Sequence, residues 1–67
     1  MSDDALRLLE LILDEAEKTQ DGYLIGVKVS DDLAKIKSEL CDELVRERYI
    51  REVSYFGKDS VRCKLNI

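Results

Sequence analysis

The chain has no histidine and no proline, only two cysteines and three glycines, and no long apolar run. Without histidine there is no imidazole for proton transfer and no partner to complete a His/Cys metal site. Three scattered glycines build no phosphate-cradling loop, and neither cysteine sits in an evident electropositive context that would activate it as a nucleophile. An enzyme is therefore not expected, nor a cofactor, a metal or a small-molecule ligand. No apolar stretch approaches the roughly 18 residues that a bilayer span requires, and Met1-Ser2-Asp3-Asp4 offers no basic start to a secretory signal. A cytoplasmic location without membrane attachment is the expectation. Cys41 and Cys63 are too few for a disulfide framework, so both are expected as buried free thiols, although spacing alone leaves a bridge between them open.

What is present fits one small folded unit spanning residues 1–67. The hydrophobic fraction of 45% is ordinary for a globular chain, and the 39% charged residues are interspersed with apolar ones, which argues against disorder. Net charge is −4 and unevenly spread: residues 1–30 carry three basic and seven acidic side chains, residues 31–67 eight of each. A polyanion would be repelled by the first half and could be met only by the second.

Ser2-Asp3-Asp4 supplies a capping hydroxyl and negative charge for a helix start. From Ala5, the residues Leu6, Leu9, Ile12, Leu13 and Ala16 share one side of a helical wheel with Leu8 at its margin, while Arg7, Asp14 and Lys18 lie opposite. Leu11 falls on the polar side, so the helix is either covered on two sides or leaves an apolar patch exposed. Thr19-Gln20-Asp21-Gly22 reads as the stop. A second cap, Ser30-Asp31-Asp32, begins a helix with Leu33, Ile36, Leu40 and Leu44 in a row. Its outward face carries Lys35, Ser38, Glu39, Asp42, Glu43 and Arg46, with Lys35/Glu39 and Asp42/Arg46 spaced for ion pairs.

Tyr23 to Val29 is rich in β-branched and aromatic residues, with Tyr23, Ile25, Val27 and Val29 on one parity, and reads as a strand; a helical turn around Leu24 to Gly26 is the competing reading. Ile50 to Phe56, the turn cluster Gly57-Lys58-Asp59-Ser60 and the alternation Val61, Cys63, Leu65, Ile67 against Arg62, Lys64, Asn66 read as a hairpin. The fold class is thus α+β, with two main helices and a three-stranded antiparallel sheet in the order α-β-α-β-β.

Residues Leu40 to Val53, ending the second helix and entering the next strand, are similar to the end of the recognition helix and the start of the wing in winged-helix proteins. Tyr55 to Val61 resembles a wing turn. Arg48 stands where those families usually have glycine. The element order resembles the short bacterial and phage type, in which little chain separates the first and recognition helices. Here only Gln20 to Val29 is left for a strand and a second helix of at most one turn.

The resemblance implies a small transcription-associated or mobile-element protein that binds double-stranded DNA, with Lys35, Lys37, Arg46 and Arg48 on the helix and Lys58, Arg62 and Lys64 on the wing as phosphate-contacting residues. Glu39, Asp42 and Glu43 would face the same polyanion. The alternative for those cations is pairing with neighbouring carboxylates on a solvated surface. A different functional class also stands: a protein-interaction module or homodimer using Leu11, Tyr23, Phe56 or a sheet edge.

Overall fold

The computed structural model describes residues 1–66. Its elements are α1 (Asp3–Ala16), β1 (Tyr23–Lys28), α2 (Asp31–Ala34), α3 (Lys37–Arg46), β2 (Ile50–Phe56) and β3 (Ser60–Leu65), with the strands ordered β1-β3-β2 in one antiparallel sheet. This is the expected α+β arrangement with one helix more.

Helix α1 starts where its cap requires. The Ser2 hydroxyl accepts the Ala5 N–H at 3.2 Å, and Ser2 donates through its own N–H (2.9 Å) and Oγ (3.0 Å) to the Glu43 carboxylate on α3. That double contact seats the start of α1 against the middle of α3. On the other flank, Arg7 reaches Asp32 of α2 at 2.9 Å. Held from both sides, α1 buries Ala5, Leu8, Leu9 and Ile12, whereas Leu6 and Leu13 are 44% and 47% exposed. The core arc therefore takes in Leu8, expected at its margin, and leaves out Leu6 and Leu13, expected within it. Leu11 is half-buried against the core, so α1 is covered on more than one side. Helical geometry ends at Ala16, Thr19 closes back onto the Ala16 carbonyl, and Gly22, at φ 72°, turns the chain into β1.

Tyr23–Lys28 is a strand, with no helical turn at Leu24 to Gly26. Its parity is not the expected one. Leu24 pairs with Cys63 and Val27 with Val61, so a bulge places two residues of β1, Ile25 and Gly26, against one of β3, Arg62. Leu24, Val27 and Val29 are buried, Tyr23 is half-buried and Ile25 is 70% exposed. A similar irregularity interrupts β2 between Arg51 and Ser54, with Glu52 at φ 55°. The central strand β3 is regular: Val61 and Cys63 are buried and Leu65 half-buried, while Ile67 lies outside the described residues.

The expected second helix is divided. Its first turn is α2, and the one-turn helix sought between Gln20 and Val29 lies here instead, after the strand. Ile36, at φ −122° and ψ 19°, breaks the helical path, and Leu40 then donates to the Ile36 carbonyl to start α3. Leu33, Leu40 and Leu44 are all buried, so the break turns the chain without taking the leucine row off the core. The second Ser-Asp-Asp site is also not capped as expected. The Ser30 side chain makes no cap bond, and its backbone carbonyl accepts from Leu33 (3.0 Å) and Ala34 (2.8 Å).

The C-terminus of α3 bends sharply despite the missing glycine. Arg48 adopts φ 65°, its N–H donates to Val45 at 3.0 Å and the Tyr49 N–H to Leu44 at 3.0 Å. These are the paired bonds of a Schellman closure, with arginine in the left-handed position glycine normally fills. Asn66 holds the bend, with its side chain donating to the Arg48 carbonyl (3.1 Å) and its N–H to that of Tyr49 (3.0 Å).

Candidate nucleic-acid interface

The seven basic residues singled out in the sequence fall into three places. Lys35, Lys37 and Lys58 converge on a cleft between the α2–α3 corner and the β2–β3 turn, lined also by Asp31, Ala34, Gly57 and Asp59. Arg46 and Arg48 lie at the far end of α3. Arg62 and Lys64 sit on the sheet face opposite the buried Val61 and Cys63, turned away from the helices, because side chains alternate along a strand. They are not beside the cleft, so the sequence's single helix-plus-wing surface is in fact two.

Lys37 ties the cleft together. Its ammonium donates to the carbonyls of Ala34 (3.3 Å) and Lys58 (2.9 Å), linking the end of α2 to the hairpin tip, and lies 5.8 Å from the centre of the Tyr55 ring. Two of its three N–H donors are thus spent on the protein. Lys35 and Lys58 extend from the same cleft and are exposed. Tyr55 stands behind Lys37, its hydroxyl pushed up to about 12 by burial and by the neighbouring Cys41. Sequence reasoning missed this support because nothing in the linear pattern brings Tyr55 to Lys37.

Charge pairing around the site is sparse. Among the described residues the ion pairs are Arg7 with Asp4 and Asp32, and Lys18 with Glu15. None of the seven candidate cations joins one. The expected Lys35/Glu39 and Asp42/Arg46 pairs are not formed. Lys35 caps α2 and so shares no helix with Glu39, while Arg46 and Asp42 extend without meeting. Glu43, expected on the wet face, is instead half-buried against α1, its carboxyl held below the ordinary range first by the Ser2 N–H. Glu39, Asp42, Val45 and Arg46 line a shallow recess on the exposed side of α3, which keeps that side acidic.

Both thiols are free and buried. Burial, chiefly, pushes Cys41 up, and Cys63 rises to about 11 through burial and then the nearby Cys41. Neither is set up as a nucleophile. Among the described residues no group of three or more His, Cys, Asp or Glu side chains is placed to hold a metal ion, and no helix is long and apolar enough to cross a membrane. No protein-family model, curated protein or solved structure matches the chain.

Proposed function

We propose that the chain is a winged-helix domain that binds double-stranded DNA by its phosphates, in a transcription-associated or mobile-element role. In this reading α2 and α3 form the helix-turn-helix and the β2–β3 hairpin is the wing. The order α-β-α-α-β-β with strands β1-β3-β2 supports it. The observation that carries it is the convergence of Lys35, Lys37 and Lys58, none ion-paired among the described residues, between helix corner and hairpin tip. Lys35 and Lys58 contact the backbone, and Lys37 fixes their spacing. Arg46 and Arg48 add contacts farther along α3.

Glu39 and Asp42 set the limits of this binding. Facing a groove, they repel phosphate and can gain only by accepting from a base amino group, that of cytosine above all. Affinity is therefore modest and dominated by counterion release. The four phosphate contacts of Lys35, Lys58, Arg46 and Arg48 give a salt slope of about −3.6, so raising salt from 50 to 200 mM should weaken binding about 150-fold. Fluorescence anisotropy with a labelled mixed-sequence duplex tests this. Lys35→Glu with Lys58→Glu should abolish binding at low salt on every sequence, and unchanged affinity would remove the cleft from the account.

One observation favours a protein partner as a second reading: Leu6 and Leu13, one heptad apart on α1, are both about half exposed. Sedimentation equilibrium at rising concentration, with Leu6→Ser and Leu13→Ser, separates self-association through this stripe from a monomer.

A further inference from the structure

Residues paired across an antiparallel ladder point to the same side of the sheet. The register pairs Lys64 with both Tyr23 and Arg51, Arg62 with Ser54, and Ser60 with both Lys28 and Phe56. Val61 and Cys63 define the buried side, so all of these lie on the outer one. Four cations, Lys28, Arg51, Arg62 and Lys64, therefore share one sheet face with two aromatics, Tyr23 and Phe56. Among the described residues no carboxylate occupies a registered position on that face. The nearest acidic side chain on these strands is Glu52, in the β2 bulge. In a chain of net charge −4 this is a marked segregation of positive charge.

The face is also built to stack. The Arg62 guanidinium donates to the Tyr23 hydroxyl through Nε at 2.7 Å and through Nη2, and lies 5.1 Å from the centre of the ring. That pairing fixes a planar cation at the hydroxyl end of an aromatic ring. Phe56, at the opposite corner of the sheet, is 45% exposed, and Ile25 in the β1 bulge is 70% exposed. From Ser60 to Lys64 the cationic face runs about 13 Å along β3. Flat apolar rings interleaved with cations match a single strand, whose unstacked bases present π-faces and whose backbone presents phosphates.

We infer that the outer face of the sheet is a second nucleic-acid surface, which takes single-stranded DNA or RNA by backbone neutralisation and base stacking. It is separate from the α2–α3–hairpin cleft and stands whether or not that cleft binds duplex. The cations supply the salt dependence. Phe56 and the Tyr23–Arg62 pair supply stacking that any base satisfies, so sequence preference is weak.

The test is anisotropy with labelled fifteen-residue oligo-dT and oligo-rU, beside a duplex of equal length. Lys28, Arg51 and Lys64 make no side-chain hydrogen bond or ion pair among the described residues, so Lys28→Gln/Arg51→Gln/Lys64→Gln removes charge without touching a bonded group. It should weaken both single strands tenfold or more and reduce the single-strand salt slope by about 2. Phe56→Ser should weaken them about fivefold or more. Lys35→Glu/Lys58→Glu should leave them within threefold while acting on the duplex, so the two surfaces fail separately. Comparable binding of dT and rU means both nucleic acids use the face, and preference for one names the source. The inference is overturned if wild-type protein binds neither single strand at low salt, if the triple variant binds as wild type does, or if polyglutamate displaces oligo-dT as well as unlabelled oligo-dT does. Should the triple variant lose its fold, an amide NMR titration of wild type decides. Shifts centred on residues 23, 28, 51, 62 and 64 support the inference, and shifts elsewhere overturn it.

Discussion

Replacing Arg48 by glycine should stabilise the domain, although it deletes a charged side chain from the proposed DNA surface. Arg48 sits at φ 65° and closes α3 with both bonds of the turn, Arg48 to Val45 and Tyr49 to Leu44. A side chain there costs roughly 1–2 kcal/mol through its Cβ. Glycine removes that cost but brings about 0.5–1 kcal/mol of extra backbone entropy in the unfolded chain. The net gain is about 0.5–1 kcal/mol. In a chain of this size that raises the melting temperature by roughly 2–8 °C. Urea unfolding should show a higher midpoint at unchanged slope. Arg48→Ala is the control, because it removes charge and keeps the Cβ, and it should gain nothing. Equal stabilisation by alanine and glycine would mean that charge, not backbone strain, sets the effect. A fall in stability for glycine would refute the reasoning outright.

Other outcomes follow from the packing and the site. Leu8→Ala should cost about 3 kcal/mol, and Leu6→Ala less than about 1, in urea unfolding, because only Leu8 is fully buried. Stability should fall as pH rises from about 9 to 11, since Cys63 is pushed up to about 11 in the fold while an unfolded thiol ionises near its ordinary 9. The unfolded chain then binds fewer protons. The effect is absent below pH 9 and reaches about 2–3 kcal/mol above 11. Cys63→Ala, compared with wild type by chemical unfolding at each pH, should flatten this dependence. Lys37→Met should leave the core intact but free the Lys58 carbonyl, seen as faster amide exchange across residues 57–59 and weaker duplex binding, whereas unchanged exchange would show that the hairpin tip holds itself.

The element types were legible because each rests on local chemistry: Ser2 as a cap, Gly22 and Gly57 at positive φ, strict alternation along β3. The misread features depend on distant partners. Leu6 and Leu13 look as buried as Leu9 on a wheel, and only the packing of α1 on β1 and α3 decides which arc faces inward. Ile25 falls on the core parity until the bulge shifts the register, and Gly26 was the one sign of it. Ile36, a good apolar helix residue, gives no local hint of breaking the chain between α2 and α3. For the site, Lys35, Lys37 and Lys58 are visible in the sequence as basic residues on the helix and turn, and the fold brings them to one cleft. Arg62 and Lys64 are sequence neighbours of the hairpin tip yet belong to the opposite face, and Lys28 and Arg51 join them only through strand pairing.

Duplex binding at the α2–α3–hairpin cleft is tested most directly by an amide NMR titration of the labelled protein with a short mixed-sequence duplex, at low and then moderate salt. Shifts at residues 35, 37, 46, 48 and 57–59 that fade as salt rises are the expected result. An unshifted spectrum at low salt, or shifts confined to α1, would contradict the account and leave the exposed leucines of α1 as the surface to pursue.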